Sequence, residues 1–192
     1  MNTVYDKDDL QTAVRTLREG GVILYPTDTV WGIGCDATNS AAVQKVYKLK
    51  QRSDSKAVLV LIDHEAKLPG LMREVPELAY NMIDLAVRPL TIIYPAARNI
   101  APELLAEDGS LGIRISKENF SHELCRMLGR PVVSTSANIS GEPSPACFAE
   151  ISQKIKEGVD YIVRYRQDDR SKALPSQIVK LEVDGQVKVI RE

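Results

Sequence analysis

The sequence is poor in histidine, aromatic residues and cysteine, and each shortage excludes a class of chemistry. His64 and His122 are the only histidines among 192 residues, which leaves little material for a Ser-His or Cys-His nucleophile and none for a histidine-rich metal site. Aromatic residues make up 5% of the chain, a scarcity that weighs against an RNA-binding module. Cys35, Cys125 and Cys147 form no C-x-x-C pair, so they indicate buried thiols and neither disulfides nor a zinc site.

Concentrated charge and long apolar runs are also absent. The formal net charge is -1, and no block of five or six like charges occurs, which argues against a protein that binds nucleic acid through clustered cations. No apolar run approaches the roughly 20 residues that a membrane helix requires. The acidic first residues lack the apolar segment of a signal peptide. We therefore expect a cytoplasmic protein without membrane association.

The familiar phosphate-binding motifs are missing as well. The chain contains no G-x-x-x-x-G-K-[ST], which excludes a P-loop. Gly32-Ile33-Gly34 lacks the third glycine and the following helix of a dinucleotide-binding fingerprint. A nucleotide, if one binds, must be held by another arrangement.

Apolar periodicity alternates between helix and strand along most of the chain. It predicts helices at 8–19, after Ser40 as N-cap, after Pro76, at 117–128, and from Ser144-Pro145, where Ser144 is the expected N-cap. It predicts strands at 22–25, 57–62, 90–94, 111–115, 131–134, 178–183 and 186–190, the last two joined at Asp184-Gly185 as a hairpin. The predicted fold class is α/β, with residues 1–192 as a single domain built on a twisted mixed β-sheet flanked by helices.

Polar residues at a spacing of two stand at the ends of several predicted elements. Residues two apart share a side only in extended chain, so each set can converge on one cleft only if its backbone is extended. The sets are Thr27 and Thr29, Lys50 and Arg52, and Ser134, Ser136 and Asn138. The third set lies in Ser-Thr-Ser-Ala-Asn, whose small polar residues follow a buried strand and favour a phosphate-binding loop.

Each of these residues also has a purely structural interpretation. Threonine and serine at strand ends often satisfy loop amides, and Lys50 and Arg52 would complement a helix dipole. Arg114 lies between Ile113 and Ile115 in a predicted strand and needs an anionic partner. From spacing alone, that partner is either a buried carboxylate of the chain or a ligand carboxylate or phosphate held bidentately.

Four segments together resemble a known family. They are YPTDTVWGIGC at 25–35, KQR at 50–52, GIRI at 112–115 and STSANISG at 134–141. Their order and spacing are similar to those of the YrdC/TsaC family of threonylcarbamoyl-AMP synthases, in its short, single-domain bacterial form. The resemblance implies a sheet that curves around a concave basic cleft. It also implies that L-threonine, bicarbonate and ATP react there to give threonylcarbamoyl-AMP and pyrophosphate for tRNA modification.

The resemblance further implies roles for individual residues. The expected threonine-binding residues are Thr27, Arg114, Ser134 and Ser176, and the expected ATP-binding residues are Lys50, Arg52, Ser110, Ser136, Asn138 and Ser144. Lys50 and Arg52 are the expected catalytic cations. Mg²⁺ is expected on the ATP phosphates, held by ATP and water, with no protein metal site.

The resemblance names partners and leaves alternatives. The expected downstream partners are the enzymes that transfer the threonylcarbamoyl group to tRNA, and direct tRNA binding remains open. Two other functions remain as alternatives on this fold: an RNA-binding or ribosome-associated module, and a carbamoyl-transfer relative that acts on another acceptor.

Overall fold

The computed structural model describes residues 5–51, 58–171, 175–182 and 185–192. The helices are α1 (Lys7–Arg18), α2 (Ser40–Leu49), α3 (Leu68–Leu71), α4 (Glu77–Leu85), α5 (Asn119–Leu128) and α6 (Gln153–Glu157). The strands are β1 (Ile23–Tyr25), β2 (Gly32–Gly34), β3 (Leu59–Ile62), β4 (Leu90–Tyr94), β5 (Leu111–Ile115), β6 (Val132–Ser136), β7 (Tyr161–Ile162), β8 (Gln177–Leu181) and β9 (Val187–Arg191).

The nine strands of the described residues form one mixed sheet in the order β7-β1-β2-β6-β3-β5-β4-β8-β9. β1 pairs with β7, β3 with β5 and β4 with β8 in parallel, and the other neighbours are antiparallel. The predicted α/β class with a mixed sheet flanked by helices is therefore confirmed.

The two faces of the sheet are covered unequally. One face packs against α2, α3 and α4 in the larger apolar core, where Val43, Leu68 and Ala79 meet Val60 and Ile113. The opposite face packs against α1 and α5 in a smaller core, which contains Leu17, Phe120, Tyr25 and Leu61. The smaller core covers only part of its face, so the remaining strands on that side are open to a ligand.

Several boundaries agree with the sequence pattern. β4 and β5 occupy the predicted residues, and α5 ends before Gly129, which adopts the left-handed conformation (φ 73°) that favours glycine. β2 and β7 were not predicted, because a two- or three-residue strand such as Gly32–Gly34 is too short to show periodicity.

One predicted N-cap and one predicted helix start were wrong. The cap of α2 is Asn39, whose side chain accepts a hydrogen bond from the Ala42 amide, so Ser40 is the first helical residue. No helix begins at Ser144-Pro145. The Glu150 carboxylate accepts a hydrogen bond from the Ala146 amide at 2.7 Å, which closes a turn, and α6 begins only after Ser152.

Gly34 lies where two strands approach too closely for a side chain. A Cβ there would stand 2.6 Å from the Tyr25 ring and 2.7 Å from the Val133 carbonyl oxygen, whereas a Cβ at Gly32 would meet nothing nearer than 3.4 Å. We expect Gly34→Ala to lower the free energy of unfolding by about 3 kcal/mol and Gly32→Ala by less than about 1 kcal/mol. Urea unfolding of both variants measures the difference, and equal losses would contradict the packing described.

Candidate active site

A cleft of about 480 Å³ lies on the open part of the less covered sheet face. Its walls come from the β1–β2 loop, the edges of β3, β5 and β6, the loop after β6, and the β8–β9 hairpin. The lining residues, which define the cleft, are Thr29, Val30, Gly32, Val58, Leu59, Arg114, Ser134, Thr135, Ser136, Ser144, Pro145, Ala146, Pro175, Ser176, Ile178 and Arg191.

Strand register places a row of residues across the floor of the cleft. Arg114 of β5 pairs with Thr91 of β4, Thr91 with Ile178 of β8, and Ile178 with Arg191 of β9. Ser176 joins the row, since its hydroxyl lies 2.9 Å from the Thr91 hydroxyl and accepts from Arg191 Nη2 at 3.2 Å. The row therefore brings two guanidinium groups, of Arg114 and Arg191, and two hydroxyls, of Thr91 and Ser176, to one part of the sheet.

Arg114 has the first of the two partners that its sequence position left open, a buried carboxylate of the chain. Its Nη2 lies 3.0 Å from Asp28 Oδ1, and the Arg114 side chain is only 3% exposed. The same residue lines the cleft. Asp28 thus supplies the buried carboxylate, and a ligand in the cleft would contact the same guanidinium.

Arg191 is a cleft residue that the sequence analysis missed. Its Nε donates to the Ser176 carbonyl oxygen at 2.8 Å, and burial, followed by the nearby charge of Arg114, lowers its pKa. The sequence does place Arg191 immediately after the predicted strand 186–190. Only the pairing of β4, β8 and β9 shows that this arginine lies near Arg114.

The serine residues of β6 behave as the extended spacing predicted. Ser134 and Ser136 lie in the strand and both line the cleft, and Ser144 reaches the cleft from the loop beyond. Asn138 is not among the lining residues. Its side-chain amide donates to the carbonyl oxygens of Ile139 (3.0 Å) and Glu142 (2.6 Å), so it folds the loop that carries Ser144.

Lys50 is buried against the same loop. Its Nζ donates to the Ser136 carbonyl oxygen at 2.5 Å and to the Asn138 carbonyl oxygen at 2.6 Å, and its own carbonyl accepts from the Ser140 amide at 2.9 Å. These contacts tie the end of α2 to the segment after β6. Lys50 itself is not among the residues that line the cleft.

The backbone after Lys50 differs from the extended geometry that the spacing of two required. Lys50 is right-handed helical (φ -76°, ψ -5°), and Gln51 is left-handed (φ 52°). The expectation of extended chain is wrong here, because the Lys50 and Gln51 amides donate back to carbonyls of α2 and close a turn. Arg52 lies outside the described residues.

Thr27 and Thr29 converge through a turn. The Thr27 hydroxyl lies 3.0 Å from the Thr29 hydroxyl, donates to the Val30 carbonyl at 2.8 Å and accepts from the Thr29 amide at 3.1 Å. Thr29 lines the cleft, while Thr27 is nearly fully buried beneath it. Thr27 therefore shapes the loop, and Thr29 presents the hydroxyl on the cleft wall.

Ser110 stands apart from the other predicted residues. It precedes β5 and shares a strand face with Gly112 and Arg114, but four residues of extended chain, about 13 Å, separate it from Arg114. Its amide donates to Asp108 Oδ1 at 3.0 Å, and it does not line the cleft. The three cysteines, Cys35, Cys125 and Cys147, are buried free thiols, as the sequence indicated.

The electrostatic character of the cleft suits an anion. Arg114 and Arg191 both line it, and its described lining residues include no aspartate or glutamate. Serine and threonine hydroxyls supply further donors.

Among residues 5–51, 58–171, 175–182 and 185–192, no three His, Cys, Asp or Glu side chains are grouped to hold a metal ion. In the same ranges, no helix has both the length and the apolarity needed to cross a membrane.

The polar segment 164–171 holds the loop that carries Thr27. Arg166 donates from Nη1 to the Thr27 carbonyl oxygen at 3.1 Å, and from Nε and Nη2 to Asp169 at 2.9 and 2.8 Å. Arg166 has a positive φ of 63°, a strained conformation for a non-glycine residue. Its contacts compensate for that strain.

Asp169 provides a test of this segment at low pH. Hydrogen bonds from Ser171, and then the contact with Arg166, lower the Asp169 pKa to about 2. A lowered pKa stabilises the fold above the ordinary carboxyl pKa near 4, and the contribution is lost as pH falls through about 2. We expect Asp169→Asn to lower the free energy of unfolding by about 1 kcal/mol at pH 7, allowing for solvent screening.

Urea unfolding at pH 7 and pH 2 measures this effect. The difference between the wild-type protein and Asp169→Asn is expected to vanish near pH 2. Asp168→Asn is the matched control, because the neighbouring Asp168 is exposed. A loss at pH 7 that persists unchanged at pH 2 would show that the carboxylate charge is not the cause.

Comparison with known proteins places this chain in a family. Residues 15–192 match the Sua5/YciO/YrdC family model, which is described as telomere recombination. The chain belongs to the Sua5/YciO/YrdC family. It is 40% identical over 158 residues to the threonylcarbamoyl-AMP synthase of Stenotrophomonas maltophilia (strain K279a), across 80% of this chain and 84% of that protein. It is 32% identical over 174 residues to the synthase of Vibrio parahaemolyticus, across 89% of this chain and 93% of that protein.

Solved structures of the Sua5/YciO/YrdC family share the fold. E. coli YciO superposes with a TM-score of 0.84 at 24% identity, over 97% of this chain and 90% of that one. P. abyssi Sua5 complexed with L-threonine superposes with a TM-score of 0.80 at 25% identity, over 90% of this chain and 50% of that one. The chain thus spans nearly the full length of YciO and half of Sua5.

Proposed function

We propose that this chain is a threonylcarbamoyl-AMP synthase, which joins L-threonine, bicarbonate and ATP and releases pyrophosphate. The observation that carries the proposal is the cleft that Arg114 and Arg191 line together with Ser134 and Ser136, with no carboxylate among its described lining residues. Every substrate of this reaction bears negative charge, and such a cleft can hold several anionic groups together. Membership in the family and the names of its relatives support the same activity.

Threonine would bind at the floor of the cleft. Arg114 provides donors for the amino-acid carboxylate, and an arginine can hold a carboxylate bidentately. Ser176 and Ser134 stand on the neighbouring strands, and the Thr27 turn presents Thr29 beside them. That P. abyssi Sua5 has been solved in complex with L-threonine supports threonine as the ligand.

ATP would bind along β6 and the loop after it. Ser136 and Ser144 line this side of the cleft, and Asn138 and Lys50 hold the loop in shape through its carbonyl oxygens. Arg191 adds a cation for the phosphates. We propose Arg52 and Ser110 as further nucleotide-binding residues, on the basis of the resemblance to the YrdC/TsaC family.

The reaction requires positioning more than proton transfer by a histidine. The threonine amine and bicarbonate form a carbamate with loss of water. A carbamate oxygen then attacks the α-phosphorus of ATP, and the bond to the β-phosphate oxygen breaks to release pyrophosphate. Negative charge gathers on the phosphoryl oxygens during this step, so fixed guanidinium and ammonium groups stabilise it and orientation brings the reactants together.

Mg²⁺ would accompany ATP in this proposal. The described lining residues offer hydroxyls and guanidinium groups but no carboxylate, which fits an ion held mainly by phosphate oxygens and water. When bound, the ion would neutralise phosphate charge. We also propose that the product passes to the enzymes that transfer the threonylcarbamoyl group to tRNA, and that the protein works in the cytoplasm.

Pyrophosphate release tests the proposal. We expect turnover with threonine, bicarbonate and ATP together, and at least a tenfold loss when threonine or bicarbonate is omitted. Serine in place of threonine is the matched substrate control, because it keeps both charges and the hydroxyl but lacks the methyl group. Pyrophosphate release that is indifferent to threonine would refute the assignment, and preference for another amine would identify a different acceptor.

A further inference from the structure

We propose that Asp28 is a positioning residue, whose carboxylate fixes the Arg114 guanidinium for the carboxylate of the amino-acid substrate. The inference rests on the proposed function, since it assigns threonine to the cleft. Asp28 does not line the cleft. It acts through Arg114, from the side opposite to the ligand.

The loop that carries Asp28 directs alternate side chains to different sides. Thr27 and Thr29 turn towards each other, with their hydroxyls 3.0 Å apart. Asp28, between them, points away and reaches Arg114, with Oδ1 and Nη2 3.0 Å apart. Arg166 holds the same loop through the Thr27 carbonyl oxygen, so the position of the Asp28 carboxylate is fixed by the turn and by a tether.

Burying the Asp28 carboxylate in its apolar surroundings costs free energy. Its side chain is 10% exposed, and it borders an apolar cavity of about 180 Å³ on the other face of the sheet, together with Ile83, Leu90 and Ile113. Burial raises the pKa of the Asp28 carboxyl, and the opposing effect of Arg114 is smaller. A buried ion pair of this kind adds little to stability, so stability alone does not explain a carboxylate at this position.

The contact leaves part of the Arg114 guanidinium unused. Nε of Arg114 has no hydrogen-bond partner among the described residues. Asp28 Oδ1 lies close to Arg114 Nη2 as an ion pair, but the contact does not have the geometry of a hydrogen bond. A guanidinium has five N–H donors in a planar fork. The ion pair with Asp28 thus holds the guanidinium by charge at Nη2, and the guanidinium of a residue that lines the cleft keeps donors that this contact does not use.

Fixing a guanidinium in advance favours binding, because the cost of ordering the side chain is met before the ligand arrives. Without the Asp28 carboxylate, Arg114 loses the charged partner that sets its orientation. The expected consequence is weaker binding of threonine with little change for ATP, since the proposed ATP contacts lie on β6 and the following loop. A purely structural role would instead lower stability without separating the two substrates.

The test measures L-threonine binding by calorimetry and synthase turnover in parallel, on wild-type protein and on Asp28→Asn. Asn keeps the shape of the side chain and removes its charge. We expect at least tenfold weaker threonine binding and a matching rise in the KM for threonine, with the KM for ATP changed by less than threefold. Asp28→Ser, which is too short to reach Arg114, is the second variant if Asp28→Asn does not fold, and it is expected to show the same loss.

Asp36→Asn is the matched control. Asp36 is also a buried carboxylate paired with an arginine, Arg130, at 2.7 Å, but it follows the opposite end of β2 and does not line the cleft. We expect it to lower stability and leave threonine binding unchanged.

A double-substitution cycle separates positioning from an independent effect. In the Arg114→Lys background, Asp28→Asn is expected to weaken threonine binding by less than threefold, because the planar fork that it positions is gone. A full tenfold loss in that background, or unchanged threonine binding in Asp28→Asn alone, would overturn the proposal. Wild-type protein that binds threonine without making product would refute the synthase activity and leave the positioning role to be judged by binding; wild-type protein that does not bind threonine would refute both.

Discussion

Replacing Lys50 with alanine is expected to lower kcat/KM by at least a hundredfold. Lys50 donates charged hydrogen bonds to the Ser136 and Asn138 carbonyl oxygens, and each such bond contributes about 1.5–3 kcal/mol. Without them the segment from Ser136 to Ser144 keeps the backbone hydrogen bond from the Ser140 amide to the carbonyl of residue 50 but loses both side-chain bonds to the end of α2. The proposed ATP wall then loses its shape. Family resemblance assigns the same ammonium to the nucleotide, so the loss combines organisation of the loop with charge.

Steady-state turnover and urea unfolding of Lys50→Ala measure the two contributions separately. Lys48→Ala is the matched control, because Lys48 is an exposed lysine in the last turn of α2 and is expected to keep near wild-type activity. Lys50→Arg is not expected to restore activity, since a planar guanidinium is larger than an ammonium held within 2.6 Å of two carbonyl oxygens. A fully active Lys50→Ala variant would contradict the account of this loop.

Replacing Arg114 with leucine is expected to lower kcat/KM for threonine by at least a thousandfold. The substitution removes the cation at the centre of the cross-strand row and leaves Asp28 as a buried charge without its partner. Removing one member of a buried pair costs about 3–5 kcal/mol of stability, so Arg114→Leu is also expected to unfold at lower urea concentration.

Arg114→Lys distinguishes lost recognition from lost folding. Lysine keeps the positive charge beside Asp28 but lacks the bidentate fork, so we expect a folded protein whose KM for threonine rises about a hundredfold. Arg130→Leu is the control, because Arg130 is largely exposed and pairs with Asp36 away from the cleft. Unchanged threonine dependence in Arg114→Lys would contradict the assignment of Arg114.

The sequence predicts the structure correctly where a local pattern, such as the alternation of side chains in a strand, decides the position of a residue. The period of two in β6 places Ser134 and Ser136 on one face, and the structure shows both on the cleft wall. Apolar runs at 90–94 and 111–115 likewise give β4 and β5 without error. Arg114 was identified as a residue in need of an anion because it interrupts such a run, although only the fold identifies Asp28 as its partner.

The remaining features depend on contacts that are distant in sequence. Arg191 meets Ser176 and the Arg114 side of the cleft only because β4, β8 and β9 pair in that order. The role of Lys50 as a tether depends on carbonyl oxygens 86 and 88 residues away. At Ser144 the local rule misled, since a competing hydrogen bond from the Ala146 amide to Glu150 closes a turn in place of the predicted helix.

The identity of the product tests the central claim most directly. Wild-type protein is incubated with ATP, L-threonine and ¹³C-labelled bicarbonate, and the nucleotide fraction is analysed by mass spectrometry. The account predicts an AMP adduct that carries threonine and one labelled carbon, formed together with pyrophosphate and lost in Arg114→Leu. An adenylate that contains threonine without the labelled carbon, or labelled product on a different amine, would contradict it.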